Sequence, residues 1–212
     1  DNRSVFDDQV EMLKAASDRY GSAGESLDFA LLLDGLEAER EQGITIDVAY
    51  RFFAPARRRS TVADARGQDQ YPRNLAAAAS PADLAVILID ARKGVLVQTR
   101  RHSRIVAMMG IRQVVVAVTK MDMVDYDERR FAGIVRDYES FASTLGVSEL
   151  HAIPVSGLVG DNIVASSERT PWYRGPTLLA CLESMDIASS RRNAAFRMPI
   201  QMSNRPDVNF RG

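Results

Sequence analysis

Three stretches of this chain are apolar at nearly every position: residues 84–89 (LAVILI), 114–118 (VVVAV) and 150–155 (LHAIPV). A strand with one solvated face alternates polar and apolar residues, so continuous apolar runs predict strands buried on both faces. Helix-period segments at 70–80, 97–109, 127–145 and 176–185 separate and follow these runs. Strands joined through helices pair in parallel, because the crossover returns the chain to the same end of the sheet. The expected fold is therefore α/β, a mostly parallel sheet flanked by helices. With 212 residues and 46% hydrophobic content, the chain can fill such a core.

The flanking segments differ from this core. Phe6, Val10 and Leu13 recur at helical spacing before Gly21, and a second helix is expected over 27–41, closed by Gly43. Residues 44–53 then alternate with period two, and 60–64 reads as a short partner strand beyond a solvated, arginine-rich turn at 54–59. After Met185 the chain turns polar and then begins a new β-type segment, so residues 1–187 read as one domain, 188–194 as a linker and 195–212 as the first segment of another. A start without methionine, inside helical sequence, points to a segment missing upstream. The net charge of −1 gives no basic excess for nucleic acid or an anionic membrane. No apolar run approaches the roughly 20 residues of a spanning helix, and the single cysteine, Cys181, excludes an internal disulfide, so a cytoplasmic location is expected.

In an open α/β sheet ligands bind beyond the carboxyl ends of the strands, and short polar boxes follow the expected strands here. After residues 114–118 comes Thr119-Lys120-Met121-Asp122. A carboxylate at this place accepts hydrogen bonds from both N1–H and the exocyclic amine of guanine, a donor pair that adenine does not present. The lysine stem can lie along the base plane. After 150–155 comes Ser156-Gly157-Leu158, whose backbone N–H groups can meet the guanine O6. After 60–63 comes Asp64-Ala65-Arg66-Gly67, in which Asp64 can hold Mg2+ through water and Gly67 can bring its N–H to a terminal phosphate. Upstream, Thr45 in Gly43-Ile44-Thr45-Ile46 offers a hydroxyl to the same metal. Together the boxes describe a site for GTP and Mg2+.

The run LDGLEAEREQGITIDVAYRFF at 33–53 resembles the switch I region of the GTPase (large) subunit family of bacterial sulfate adenylyltransferase, a family that includes forms fused to adenylylsulfate kinase. DARKGVL at 90–96, QTRRHS at 98–103, VDYD at 124–127, GDN at 160–162 and TPWY at 170–173 are similar in the same way. Translation elongation factors share the G-x-T-I segment but lack the longer signature. Residues 196–201 (FRMPIQ), with NRP at 204–206 and FRG at 210–212, resemble the opening of that family's first β-barrel domain. The resemblance implies a P-loop-NTPase-like G domain of the translation-factor superfamily. It also implies GTP hydrolysis coupled to adenylyl transfer from ATP to sulfate on a smaller catalytic partner subunit. By the same resemblance Thr45 and Asp64 serve magnesium, Gly67 the γ-phosphate, and Thr119, Lys120, Asp122 and Ser156 the base and its loop.

The chain departs from that pattern in places. A phosphate cradle of the form G-x-x-x-x-G-K-[ST] needs a lysine preceded by glycine, and Lys14, Lys93 and Lys120 follow Leu13, Arg92 and Thr119. The first strand and its P-loop are thus expected to be lacking, and this chain by itself to bind GTP poorly. Gln68 stands where the family has the histidine that orients the attacking water, and glutamine does this in other GTPases. Arg66 replaces a proline, and Thr119 an asparagine. These departures leave open a nucleotide-incompetent relative that only docks the catalytic subunit. His102 and His151 are too dispersed to suggest a metal site. The arginines around His102 read as a solvated helix face or a partner surface, and Trp172 and Tyr173 as packed on the last helix.

Overall fold

A computed structural model describes residues 48–53, 59–65 and 72–187. The helices expected at 6–21 and 27–41, the switch segment with Thr45, the turn at 54–58, Gly67 and Gln68, and the linker and β segment from 188 onward lie outside the described residues.

Two sheets are present among the described residues. β1 (Ala49–Phe53) and β2 (Ser60–Asp64) pair antiparallel, with Ala49 opposite Asp64 and Phe53 opposite Ser60. β3 (Leu84–Asp90), β4 (Gln113–Thr119) and β5 (Glu149–Pro154) form a parallel sheet with β4 in the centre. Four helices accompany them: α1 (Pro72–Ala79), α2 (Val97–Met108), α3 (Glu128–Ala142) and α4 (Leu178–Ser184). The α/β architecture is as expected, and most element bounds move by one to three residues for local reasons. The first helix begins at Pro72, a residue whose missing N–H and fixed φ suit a first turn. α3 begins one residue after Asp127, whose side chain accepts the Arg129 N–H at 2.8 Å as an N-cap. It gives way to a 3-10 turn, Ser143–Leu145, and Gly146 follows at φ +68.

The core is organised around β4, whose residues from Val114 through Val118 are all buried. Because side chains alternate across a strand, Val114, Val116 and Val118 enter one cluster, with Ile87, Ile89, Val106, Ile134, Tyr138 and Phe141 from β3, α2 and α3. Val115 and Ala117 enter a second, with Ile153, Val155, Cys181 and Met185 around β5 and α4. Branched valines hold one χ1 rotamer and fit this doubly covered position at low entropic cost. Cys181 behaves as a small buried apolar residue, its thiol pushed up by burial and then by Glu149.

α2 and α3 are joined by the buried pair Ser103 Oγ and Tyr138 hydroxyl at 2.8 Å. The expected solvated arginine face is partly recruited into this contact. Arg100 pairs with Asp137 at 3.1 Å, and the Arg100 and Arg104 guanidinium groups lie 5.1 and 5.5 Å from the Phe141 ring centre. Trp172 differs from expectation too: it packs at 5.3 Å on Phe131 of α3 rather than on the last helix, while Tyr173 joins the α4 cluster. No helix among the described residues is long and apolar enough to cross a membrane.

Replacing Ile89, 1% exposed, with alanine should cost about 2–5 kcal/mol. Val97→Ala, at a 79% exposed position, should stay within about 0.5 kcal/mol. Urea-denaturation midpoints of the two variants measure the difference.

Candidate guanine-nucleotide site

The parallel register sets the site. Asp90 lies opposite Thr119, and Val118 opposite Pro154, so the loops leaving β3, β4 and β5 emerge at one edge of the sheet. Thr119 ends β4, its Oγ1 donating to the Ile89 carbonyl at a long 3.4 Å, while the Ala91 N–H donates to the Thr119 carbonyl at 2.9 Å. Lys120 follows in the left-handed region at φ +60, an uncommon conformation for a residue with a side chain. It turns the chain into a 3-10 turn, Met121–Val124, that carries Asp122. Met121 anchors this turn. Its side chain is fully buried and its N–H donates to the Val155 carbonyl at 3.3 Å, tying the Asp122 turn to the end of β5.

The Ser156 loop is shaped from within. Ser156 is buried, its Oγ accepts the Val159 N–H at 3.3 Å, its carbonyl accepts the Gly160 N–H at 2.8 Å, and its own N–H donates to the Asp161 carbonyl at 3.3 Å. The Ser156 amide is therefore engaged. The Gly157 and Leu158 amides, on exposed residues, find no acceptor among the described residues and are the donors open to a base oxygen. Beneath the loop, Asn162 is buried at φ +57; its amide nitrogen donates to the Pro154 carbonyl at 2.8 Å and the Thr170 hydroxyl at 2.9 Å, and its oxygen accepts the Ser167 N–H at 2.9 Å.

Asp90, which sequence reasoning passed over as part of a similar stretch, is the main charged partner of Lys120. Its carboxylate receives Arg92 through Nη2 at 2.7 Å, Nε at 3.0 Å and the backbone N–H at 2.9 Å, and holds the Lys120 Nζ at 3.2 Å. Arg92, against the opposing effect of burial and with help from Lys120, keeps the Asp90 carboxyl well below the usual carboxylate range. Arg130 of α3 braces this turn from below, donating to the Ala91 carbonyl at 2.8 Å and to the Arg92 carbonyl. The only sequence signal was a charged residue ending an apolar run.

The structure thus brings Thr119, Lys120, Asp122, Ser156, Gly157 and Leu158 to one edge of one sheet. Asp64 ends β2 in the other sheet, so strand pairing does not join it to them. Thr45, Gly67 and Gln68 lie outside the described residues. A carboxylate that accepts, two exposed amides that donate and a lysine stem match the hydrogen-bonding inventory of a guanine edge. On the metal side only Asp64 is described, and no cluster of three metal-binding side chains occurs among the described residues.

Residues 8–187 match the family of the elongation factor Tu GTP binding domain. The chain belongs to that family. Among curated proteins it is similar to sulfate adenylyltransferase subunit 1 of Tolumonas auensis, 52% identical over 212 residues, which span 100% of this chain and 45% of that protein. The bifunctional enzyme CysN/CysC of Rhodopirellula baltica is 55% identical over 214 residues, 100% of this chain and 33% of that protein. Among solved structures, sup35 complexed with GMPPNP superimposes with a TM-score of 0.57 at 28% identity, covering 74% of this chain and 39% of that one. The chain thus spans less than half the length of these relatives, and its parallel sheet with flanking helices is the G-domain fold.

Asp90→Asn should free the Lys120 ammonium and destabilise the protein near neutral pH. The native carboxyl titrates lower than in the unfolded chain, so the pair stabilises fully above the unfolded value of about 4 and less as pH falls below it. Wild-type and variant stabilities, compared by chemical denaturation from pH 7 to 3, should therefore converge towards the acid end.

Proposed function

We propose that this chain is the GTP-binding part of the regulatory GTPase subunit of sulfate adenylyltransferase. In this reading GTP hydrolysis drives formation of adenylylsulfate and pyrophosphate from ATP and sulfate, in the cytoplasm and together with a smaller catalytic subunit. The observation that carries it is the sheet edge to which the loops of Asp122 and of the Gly157 and Leu158 amides are both brought. It is supported by 52% identity across the chain to a protein named for that enzyme's subunit 1. The match over 8–187 supports reading 1–187 as the G domain; in the same proposal 188–194 is a linker and 195–212 opens a β-barrel domain.

In this assignment Asp122 accepts the guanine N1–H and amine, Lys120 lies along the base with its ammonium on Asp90, and the Gly157 and Leu158 amides meet O6. Ser156 shapes the loop, and Thr119 closes the turn above Ile89. Thr45 and Asp64 would hold Mg2+, whose charge would offset that of the phosphates, while Gly67 would serve the γ-phosphate and Gln68 would orient water. A second reading, a scaffold that docks the catalytic subunit without nucleotide, draws support from Arg66, Gln68 and Thr119 and from the long Thr119 contact at 3.4 Å.

Calorimetric titration of the full-length protein with GTP and Mg2+ separates the two. Magnesium-dependent binding with preference for GTP over ATP is expected, and its absence favours the scaffold. Asp122→Asn disrupts two charge-assisted hydrogen bonds, which at about 1.5–3 kcal/mol each amounts to a roughly 100- to 20,000-fold loss of guanine affinity. Unchanged GTP-over-ATP selectivity in that variant contradicts the role given to Asp122.

A further inference from the structure

The two base-facing loops arise from different strands, and a base read from both sides needs their spacing held within a fraction of an ångström. One backbone bond, from Met121 N–H to the Val155 carbonyl, joins them at their roots. A second tie lies farther out. The Tyr126 hydroxyl donates to Asp161 Oδ2 at 2.5 Å across a sequence distance of 35 residues. Arg169 Nη1 donates to the two oxygens of the same carboxylate at 3.2 and 2.9 Å, and its guanidinium sits 6.0 Å from the Tyr126 ring centre. Asp161 therefore acts on both loops: its backbone carbonyl takes the Ser156 N–H, and its carboxylate takes Tyr126 from the loop that carries Asp122.

The backbone adds an independent observation. Asp125 and Tyr126 are consecutive non-glycine residues in the left-handed region, at φ +51 and +52. For a bulky residue such as tyrosine this conformation is costly and persists only where several contacts enforce it. Those contacts are present: the Tyr126 N–H donates to the Met121 carbonyl at 2.9 Å, the Trp172 indole N–H donates to the Tyr126 carbonyl at 3.1 Å, and the hydroxyl is held by Asp161. Burial pushes the Asp161 carboxyl up, but Tyr126, Ser167 and Arg169 outweigh it and keep the group ionised.

We propose that Tyr126, Asp161 and Arg169 are positioning residues for base recognition, a clamp that sets the separation between Asp122 and the Gly157 and Leu158 amides. This rests on the guanine reading above. The clamp touches no base atom and acts through the two loops, so its loss should reduce discrimination between bases more than the fold's stability. Inosine diphosphate is the probe, since it keeps O6 and N1–H but lacks the exocyclic amine that reaches Asp122.

The test compares GDP and inosine diphosphate affinities of the full-length protein with those of Tyr126→Phe, Asp161→Asn, Arg169→Lys and Asp122→Asn, each below its melting temperature. Tyr126→Phe and Asp161→Asn should cut the GDP-over-inosine-diphosphate ratio roughly tenfold, about 1.4 kcal/mol. Arg169→Lys, which keeps one cationic donor where Nη1 alone meets both carboxylate oxygens, should stay within about threefold of wild type. A purely structural role lowers the folded fraction and scales both affinities equally, leaving the ratio unchanged. That result in Tyr126→Phe and Asp161→Asn, with Asp122→Asn losing its preference, overturns the clamp and leaves the guanine site standing. No guanine preference in the wild-type protein overturns the underlying reading and the clamp with it. Should Tyr126→Phe fail to fold, Arg169→Ala, at a side chain 54% exposed, gives the same comparison.

Discussion

The central strand β4 buries both of its faces, and the rest of the described structure depends on that constraint. Five consecutive residues, Val114 through Val118, are removed from water, three of them into the cluster formed with α2 and α3 and two into the cluster formed with β5 and α4. With none of these five side chains facing solvent, the strand has little freedom to slip: a shift by one residue would send each valine into the opposite core. The register with β3 and β5 is fixed by this packing as much as by the backbone ladder, and it sets where each strand stops.

A rigid sheet ending in short loops makes the site possible and also costly. Lys120, Asp125, Tyr126 and Asn162 all adopt positive φ, so the edge carries backbone strain that side-chain bonds must offset. The compensation is local and polar. Asp90 holds Lys120, Asp161 holds Tyr126, and the Asn162 amide satisfies a strand-end carbonyl and two neighbours in the loop below. Charge is paired locally too: the acids at 90 and 161 meet arginines two and eight residues away, and the turn that carries Asp122 holds no basic residue of its own.

The parts legible from sequence were those governed by local composition. Continuous apolar runs marked the three parallel strands among the described residues, and the Thr119-Lys120-Met121-Asp122 box after one of them marked the edge proposed to read the base. Less legible were contacts whose partners lie far apart in the chain. Asp90 and Lys120 are 30 positions apart, and nothing in the sequence pairs Lys120 of the box with Asp90, which reads as an ordinary polar residue ending a strand. Tyr126 and Asp161 sat in stretches noticed only for their similarity to known proteins. The arginine-rich face of α2 looked solvated because the Phe141 that Arg100 and Arg104 cover belongs to another helix. Trp172 was assigned to the nearest helix in sequence, whereas its indole reaches Tyr126 and its ring Phe131.

Sequence by itself determined the fold class and, in the function proposed above, the kind of base the site reads. Hydrophobic period and the hydrogen-bonding inventory of a side chain are properties of single segments. Tertiary structure alone decided which residues hold the reading groups in place. That depends on strand register, which sets Asp90 beside the root of Lys120 and brings Tyr126 within reach of Asp161. It also decided that the Ser156 amide is consumed within its loop, leaving Gly157 and Leu158 as the free donors, because a turn's internal bonds exist only once the chain has closed it.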